Sequence, residues 1–144
     1  MQSFKNSLFM LLMAISCTSK PETNSEAETK IREVLTQQQT AWNEGNLEKF
    51  MEGYWKSDSL QFIGSSIRYG WQPTLDNYKK NYSTRALMGR LQFDIWQIVQ
   101  LGPDAHLLTG KYTLFRESDQ PSGPFTLIFK KKNNGWVIVY DHTS

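Results

Sequence analysis

AWNEGNLEKFMEGYWKSDSLQFIG, residues 41–64, decides the fold. It reads as the end of one helix, a glycine stop, a short second helix and then a strand. Leu47, Phe50, Met51 and Tyr54 stand at i, i+3, i+4 and i+7, so the second helix carries one apolar stripe. Asn43-Glu44-Gly45 offers a left-handed stop to the first helix, and Asn46 offers a cap to the second. Trp42, Tyr54, Trp55 and Phe62 gather aromatic surface around this corner. A corner of that kind can wall a pocket.

Toward the N-terminus, Ser25 and Glu28 form an S-x-x-E pair, which predicts that the first long helix opens at Ser25. Ile31, Val34, Leu35, Gln38, Ala41 and Trp42 then share a face. Gln38 is the polar member of that stripe, and a buried amide needs partners from backbone, water or ligand. Residues 18–24, TSKPETN, are polar and contain Pro21, as expected of a short tether. Residues 1–17 have a basic start at Lys5 and an apolar run from Leu8 to Ile15, too short to span a bilayer. Ser16 then precedes the chain's one cysteine, Cys17. This leader resembles a bacterial lipoprotein signal, although Ala14 stands where leucine is more usual. The resemblance implies lipid attachment at Cys17 and a place in the cell envelope, facing the periplasm or the outer surface. A plain secretory signal, with secretion after cleavage, is the alternative. The folded domain is expected over 25–144.

Toward the C-terminus, short strands are predicted over Asp58–Gly64 and Ser66–Tyr69. A third helix follows, with Pro73 in its first turn and Leu75, Tyr78 and Tyr82 on its inner face. From Arg90 the apolar period changes to two: Leu91, Phe93, Ile95, Val99 and Leu101 alternate with Asp94, Trp96 and Ile98. Turns at Gly102-Pro103-Asp104 and Asn133-Asn134-Gly135 divide the rest into a meander. On the last strand, Trp136, Ile138, Tyr140 and His142 fall on one face and Val137, Val139, Asp141 and Thr143 on the other. Alternation leaves open which face is concave.

A chain of 144 residues with 39% hydrophobic content is long enough for one core. Its aromatic share of 13% points to a core or cavity lined with rings. A net charge of +2 gives no footprint for nucleic acid, and Lys130-Lys131-Lys132 sits beside a hairpin turn as a solvated tip. With one cysteine, two histidines and neither HxH nor CxxC spacing, no metal or other cofactor is expected.

Helices followed by a long meander give an α+β order. AWNEGNLEKFMEGYW, then SLQFIG, then YGW ahead of Tyr78 and Tyr82, and finally GWVIVYDHTS, together resemble the nuclear transport factor 2-like superfamily over most of 25–144. The likeness is to its SnoaL-like and ketosteroid-isomerase-like members. It implies a cone-shaped α+β fold, with three N-terminal helices packed on a strongly bent antiparallel sheet. It also implies a pocket in the open end and, in many members, a homodimer formed through the sheet. Fold alone does not settle function in such a family. The carboxylate base of the isomerases would fall near Ile63-Gly64, where neither residue takes a proton, and Gln38 would stand in place of an oxyanion-binding tyrosine.

Two function classes follow from these residues. The first is a non-catalytic binding module for a small, largely apolar or aromatic molecule, with Gln38, Trp42, Tyr54, Tyr78, Asp94, Trp96 and His142 as ligand-binding candidates. The second is an isomerase, dehydratase or hydrolase using His142 and Asp94 as acid–base groups, if the two meet across the cavity. His142 closing the sheet end and Asp94 facing solvent are the structural alternatives. A third option is an assembly domain with a vestigial pocket.

Overall fold

The computed structural model describes residues 22–133 and 135–144. The expected signal, Cys17 and residues 18–21 of the expected tether lie outside them. The chain forms α1 (Asn24–Asn43), α2 (Leu47–Met51), β1 (Gln61–Ile63), β2 (Ile67–Tyr69), α3 (Trp71–Asn81) and α4 (Arg85–Met88). Four longer strands follow: β3 (Arg90–Gly102), β4 (Ala105–Phe115), β5 (Ser122–Lys132) and β6 (Gly135–Thr143).

Helix α1 is capped two residues earlier than the S-x-x-E pattern predicts, by a different box. Thr23 has extended backbone and accepts from the Glu26 N–H at 3.3 Å, while the Glu26 carboxylate accepts from the Thr23 N–H at 2.7 Å. The last residues of the expected tether are docked on the fold as well. Glu22 meets Lys30 at 2.6 Å and Lys131 at 2.7 Å, and accepts from the Trp136 indole at 3.2 Å. Lys131 first and Lys30 second hold its carboxyl down at about 2. Ala27, Ile31, Leu35, Gln38, Ala41 and Trp42 are the buried face of α1.

At the far end of α1 the chain turns through Gly45, at φ +80°, and Asn46 caps α2 by accepting from the Lys49 N–H at 2.9 Å. Arg85 donates to the carbonyls of Trp42 at 2.8 Å and Asn43 at 3.0 Å where α1 ends, the first of which also accepts from the Gly45 N–H at 2.9 Å. The Asn43 amide exchanges two hydrogen bonds with the Leu91 backbone and so fixes β3 to the helix.

The six strands run in the order β2-β1-β6-β5-β4-β3. The sheet is mixed rather than antiparallel throughout, because β1 pairs in parallel with β6. Parallel neighbours need a long connection, and the chain from β2 to β5 supplies it. Register shifts leave Trp96, Leu101 and Val139 unpaired as extra residues, and each such bulge bends its strand. The concave face, with Leu108, Leu127, Phe129 and Ile138, packs on Ile31, Leu35 and Ala41 of α1. On the other face, Val99, Leu107, Ile128 and Tyr140 align in register across β3, β4, β5 and β6 and stay half-buried.

Candidate functional site

The sharp sheet bend leaves a cavity of about 280 Å³ between the C-terminal half of α1, α2, α3 and the distal ends of the long strands. Its helical wall is a mesh of edge-on rings. Trp42 meets Tyr82 at 4.8 Å and Phe50 at 5.2 Å, and Phe50 meets Tyr78 at 5.2 Å, with interplanar angles of 72°, 67° and 69°. Such contacts add to area burial and fix ring positions. The Trp42 indole is further tied by donating to the Met88 carbonyl at 3.1 Å. Phe93, Tyr112 and Phe125 close the opposite wall, and Ser65, Asn77 and Asn81 give the lining its polar fringe.

One ionisable side-chain carboxylate lies within, among the described residues. Asp141 on β6 is 2% exposed. Its Oδ2 accepts from the Tyr54 hydroxyl at 2.7 Å and its Oδ1 from the Thr143 hydroxyl at 2.6 Å. Burial pushes its carboxyl up to about 6, against the lowering effect of those two hydrogen bonds. Burial, and next the Asp141 charge, drives the hydroxyls of Tyr54 and Tyr78 well above the usual phenol range, so both stay protonated donors. No lysine, arginine or histidine lines the cavity among the described residues.

Gln38, Trp42, Tyr54 and Tyr78 are brought together in this lining. The Gln38 amide donates to the Phe50 carbonyl at 3.1 Å and lies flat on Gly53, where an added Cβ would come within 2.6 Å of its Cδ. Asp94, Trp96 and His142 are placed elsewhere. Asp94 is exposed and pairs in register with Lys111 on the convex face. Trp96 is the extra residue of the β3 bulge and is 62% exposed. His142 is exposed on the convex face, between Ile63 of β1 and Thr126 of β5.

The cause in β6 is the bulge at Val139. Strict alternation groups Trp136 and Ile138 with Tyr140 and His142, but the extra residue exchanges the faces beyond Ile138. Trp136 and Ile138 therefore point inward together with Asp141 and Thr143. Asp141 is the group that sequence reasoning leaves unchosen. The signal available for it is a carboxylate beside a threonine in an otherwise apolar strand.

A larger, open depression of about 780 Å³ shares Gln38 and Tyr54 with the cavity's lining. Its lysines are occupied: Lys30 pairs with Glu22 at 2.6 Å and Lys49 with Glu44 at 3.6 Å, Lys56 lies over Trp71 and Lys132 over Trp55. Its described lining contains no buried carboxylate, and the ring-lined cavity is the candidate site.

Neither a family sequence profile nor a curated protein sequence matches the chain. Solved structures do. A nuclear transport factor 2-like protein of unknown function from Shewanella oneidensis MR-1 is 40% identical, with 81% of this chain and 98% of that one covered and a TM-score of 0.78. A domain of unknown function with a cystatin-like fold from Nostoc punctiforme is 18% identical over 85% and 78% of the two chains, with a TM-score of 0.72. A nuclear transport factor 2-like superfamily protein from Salmonella enterica serovar Typhimurium is 18% identical over 85% and 92%, with a TM-score of 0.68. At 18% identity the last two speak for the fold alone.

Proposed function

We propose that this chain, which belongs to the nuclear transport factor 2-like family, is a binding module that holds a small, ring-containing molecule in its cone cavity. The observation that carries the reading is a cavity walled by rings with a few inward polar groups, the usual composition of a small-molecule site. Gln38, Trp42, Tyr54 and Tyr78 supply its surface, and Asp141 supplies the inward charged group in place of the candidates Asp94 and His142. The acid–base pair of Asp94 and His142 is not assembled, since both are exposed on the convex side of the sheet. Ile63 and Gly64 offer no base where the isomerases have one, so no turnover of a Δ5-3-ketosteroid above background is expected.

Calorimetric titration of the 22–144 domain with 2-phenylethanol, a neutral probe with one ring and one hydroxyl, tests the reading. Saturable binding is expected. Ser65→Trp, at an exposed position of the lining and away from the core, should weaken it at least about tenfold by crowding the mouth. Absence of saturable binding to wild type by this probe and by its charged analogues of the same size would overturn the module.

Two properties of the whole chain complete the proposal. Lipidation at Cys17 would hold the domain at a membrane surface, and the apolar row Val99-Leu107-Ile128-Tyr140, flanked by exposed Trp96 and Leu101, would be covered by a second copy. In a bacterium that processes lipoproteins, wild type should partition with membranes and Cys17→Ala should not; equal partition removes the tether. Sedimentation of the 22–144 domain at tens of micromolar should show a dimer, and a monomer there removes the self-association.

A further inference from the structure

We infer that the ligand is a small organic cation, an ammonium ion whose charged head sits against Asp141 and whose apolar body packs on the ring wall. This rests on the binding reading and names its ligand class.

The charge inventory of the cavity carries the argument. Asp141 is almost fully buried, and both groups bonded to it, the hydroxyls of Tyr54 and Thr143, are neutral. Tyr78 from α3 is a further neutral phenol beside the pair. His142, next along β6, turns to the convex face. No cationic side chain of any element lines the space among the described residues. A carboxylate has about four acceptor positions, and two are taken here. Buried charge is ordinarily matched by a partner of opposite sign, and here no described cationic side chain enters the cavity. The His142 charge, across the strand, lowers the carboxyl less than either hydrogen bond does. The remaining acceptor capacity can be met by a ligand N–H.

The walls favour the same sign. Ring faces carry negative quadrupole charge and attract a cation within about 6 Å of the ring centroid. Trp42, Phe50, Tyr78, Tyr82, Phe93 and Tyr112 all contribute to the lining. An anion would meet Asp141 with no compensating group. A neutral molecule would gain the apolar contacts but leave the carboxylate unmatched. A cavity of about 280 Å³ suits one ring with a short amine arm.

Calorimetry on the 22–144 domain at pH 7.5 with three probes of similar size tests this: 2-phenylethylammonium, 2-phenylethanol and phenylacetate. The cation is expected to bind at least tenfold more tightly than the alcohol, and phenylacetate more weakly than either. Asp141→Asn should erase the advantage of the cation over the alcohol, with both probes titrated on that variant. At pH 5 the wild type should lose the same advantage, because Asp141, raised to about 6, is then protonated. Alcohol binding with no advantage for the cation, or an advantage that survives Asp141→Asn, overturns the charge assignment and leaves the binding module standing. Failure of all three probes overturns both.

Discussion

Asp141→Asn is expected to be more stable than the wild type at pH 8, and the gap should close as the pH is lowered toward 4. The folded protein raises the Asp141 carboxyl from 3.8 to about 6, with burial as the leading cause. A raised carboxyl binds its proton more tightly when folded, so acid favours the folded state through this group. The penalty is complete above pH 6 and fades as the pH falls through 6 toward 3.8. Its size is roughly 3 kcal/mol at full ionisation. The amide resembles the protonated acid: its oxygen can still accept from Tyr54 and its NH₂ can donate to Thr143, so most of that energy should be recovered. Urea unfolding of both proteins at pH 8 and pH 4 reads the difference directly. A variant less stable than wild type at pH 8 would mean that the hydrogen bonds outweigh desolvation and that the carboxylate is at ease in its site. A stability cost of this kind, placed in a cavity, fits the ligand-facing role proposed for the carboxylate.

The route from sequence to this site was legible in the helices and obscured in the sheet. Trp42 and Gln38 reach the cavity because the 3.6-residue period of α1 is uninterrupted, so their shared face can be read from spacing alone. Tyr78 follows from the same logic in α3, whereas Tyr54 lies beyond the end of α2 and bridges to Ile138 of β6. Gly45 and Gly70, both at positive φ, mark the end of α1 and the start of α3. Strands offer no such security. A period of two is reversed by one extra residue, and neither Trp96 nor Val139 carries a local sign that it is the extra one. Both long strands have apolar residues on each face, so hydrophobicity could not report the exchange. The parallel pairing of β1 with β6 was also hidden, because it joins segments far apart in the chain. At the N-terminus, two overlapping cap patterns, Thr23 with Glu26 and Ser25 with Glu28, compete in one stretch. The geometry selects the first, whose docked Glu22 anchors the entry to the sheet.

Gly110→Ala should cost about 3 kcal/mol, the upper range for forcing atoms into a packed interior, whereas Gly102→Ala should change stability by less than about 0.5 kcal/mol. Gly110 lies on β4 opposite Ile95, next to the Trp96 bulge, where the sheet bends to make the cone. The Phe125 ring lies across the position a side chain would take and meets Phe93 edge-on at 5.4 Å. A Cβ at Gly110 would stand 2.6 Å from the Asp94 carbonyl oxygen and 2.7 Å from Phe125 Cζ. The ring could swing aside, but only into the cavity, and the carbonyl belongs to a paired strand that cannot yield without breaking the ladder. Gly102, at the end of β3, has nothing within 4 Å of the same added atom and serves as the control. Urea unfolding separates the two variants, and the probe titration adds a functional reading. Surviving Gly110→Ala molecules should bind 2-phenylethanol more weakly, because Phe125 is displaced into the space the probe occupies. Equal stability of the two variants would show that β3 and Phe125 move freely, and the bend would then have some other cause than the missing side chain.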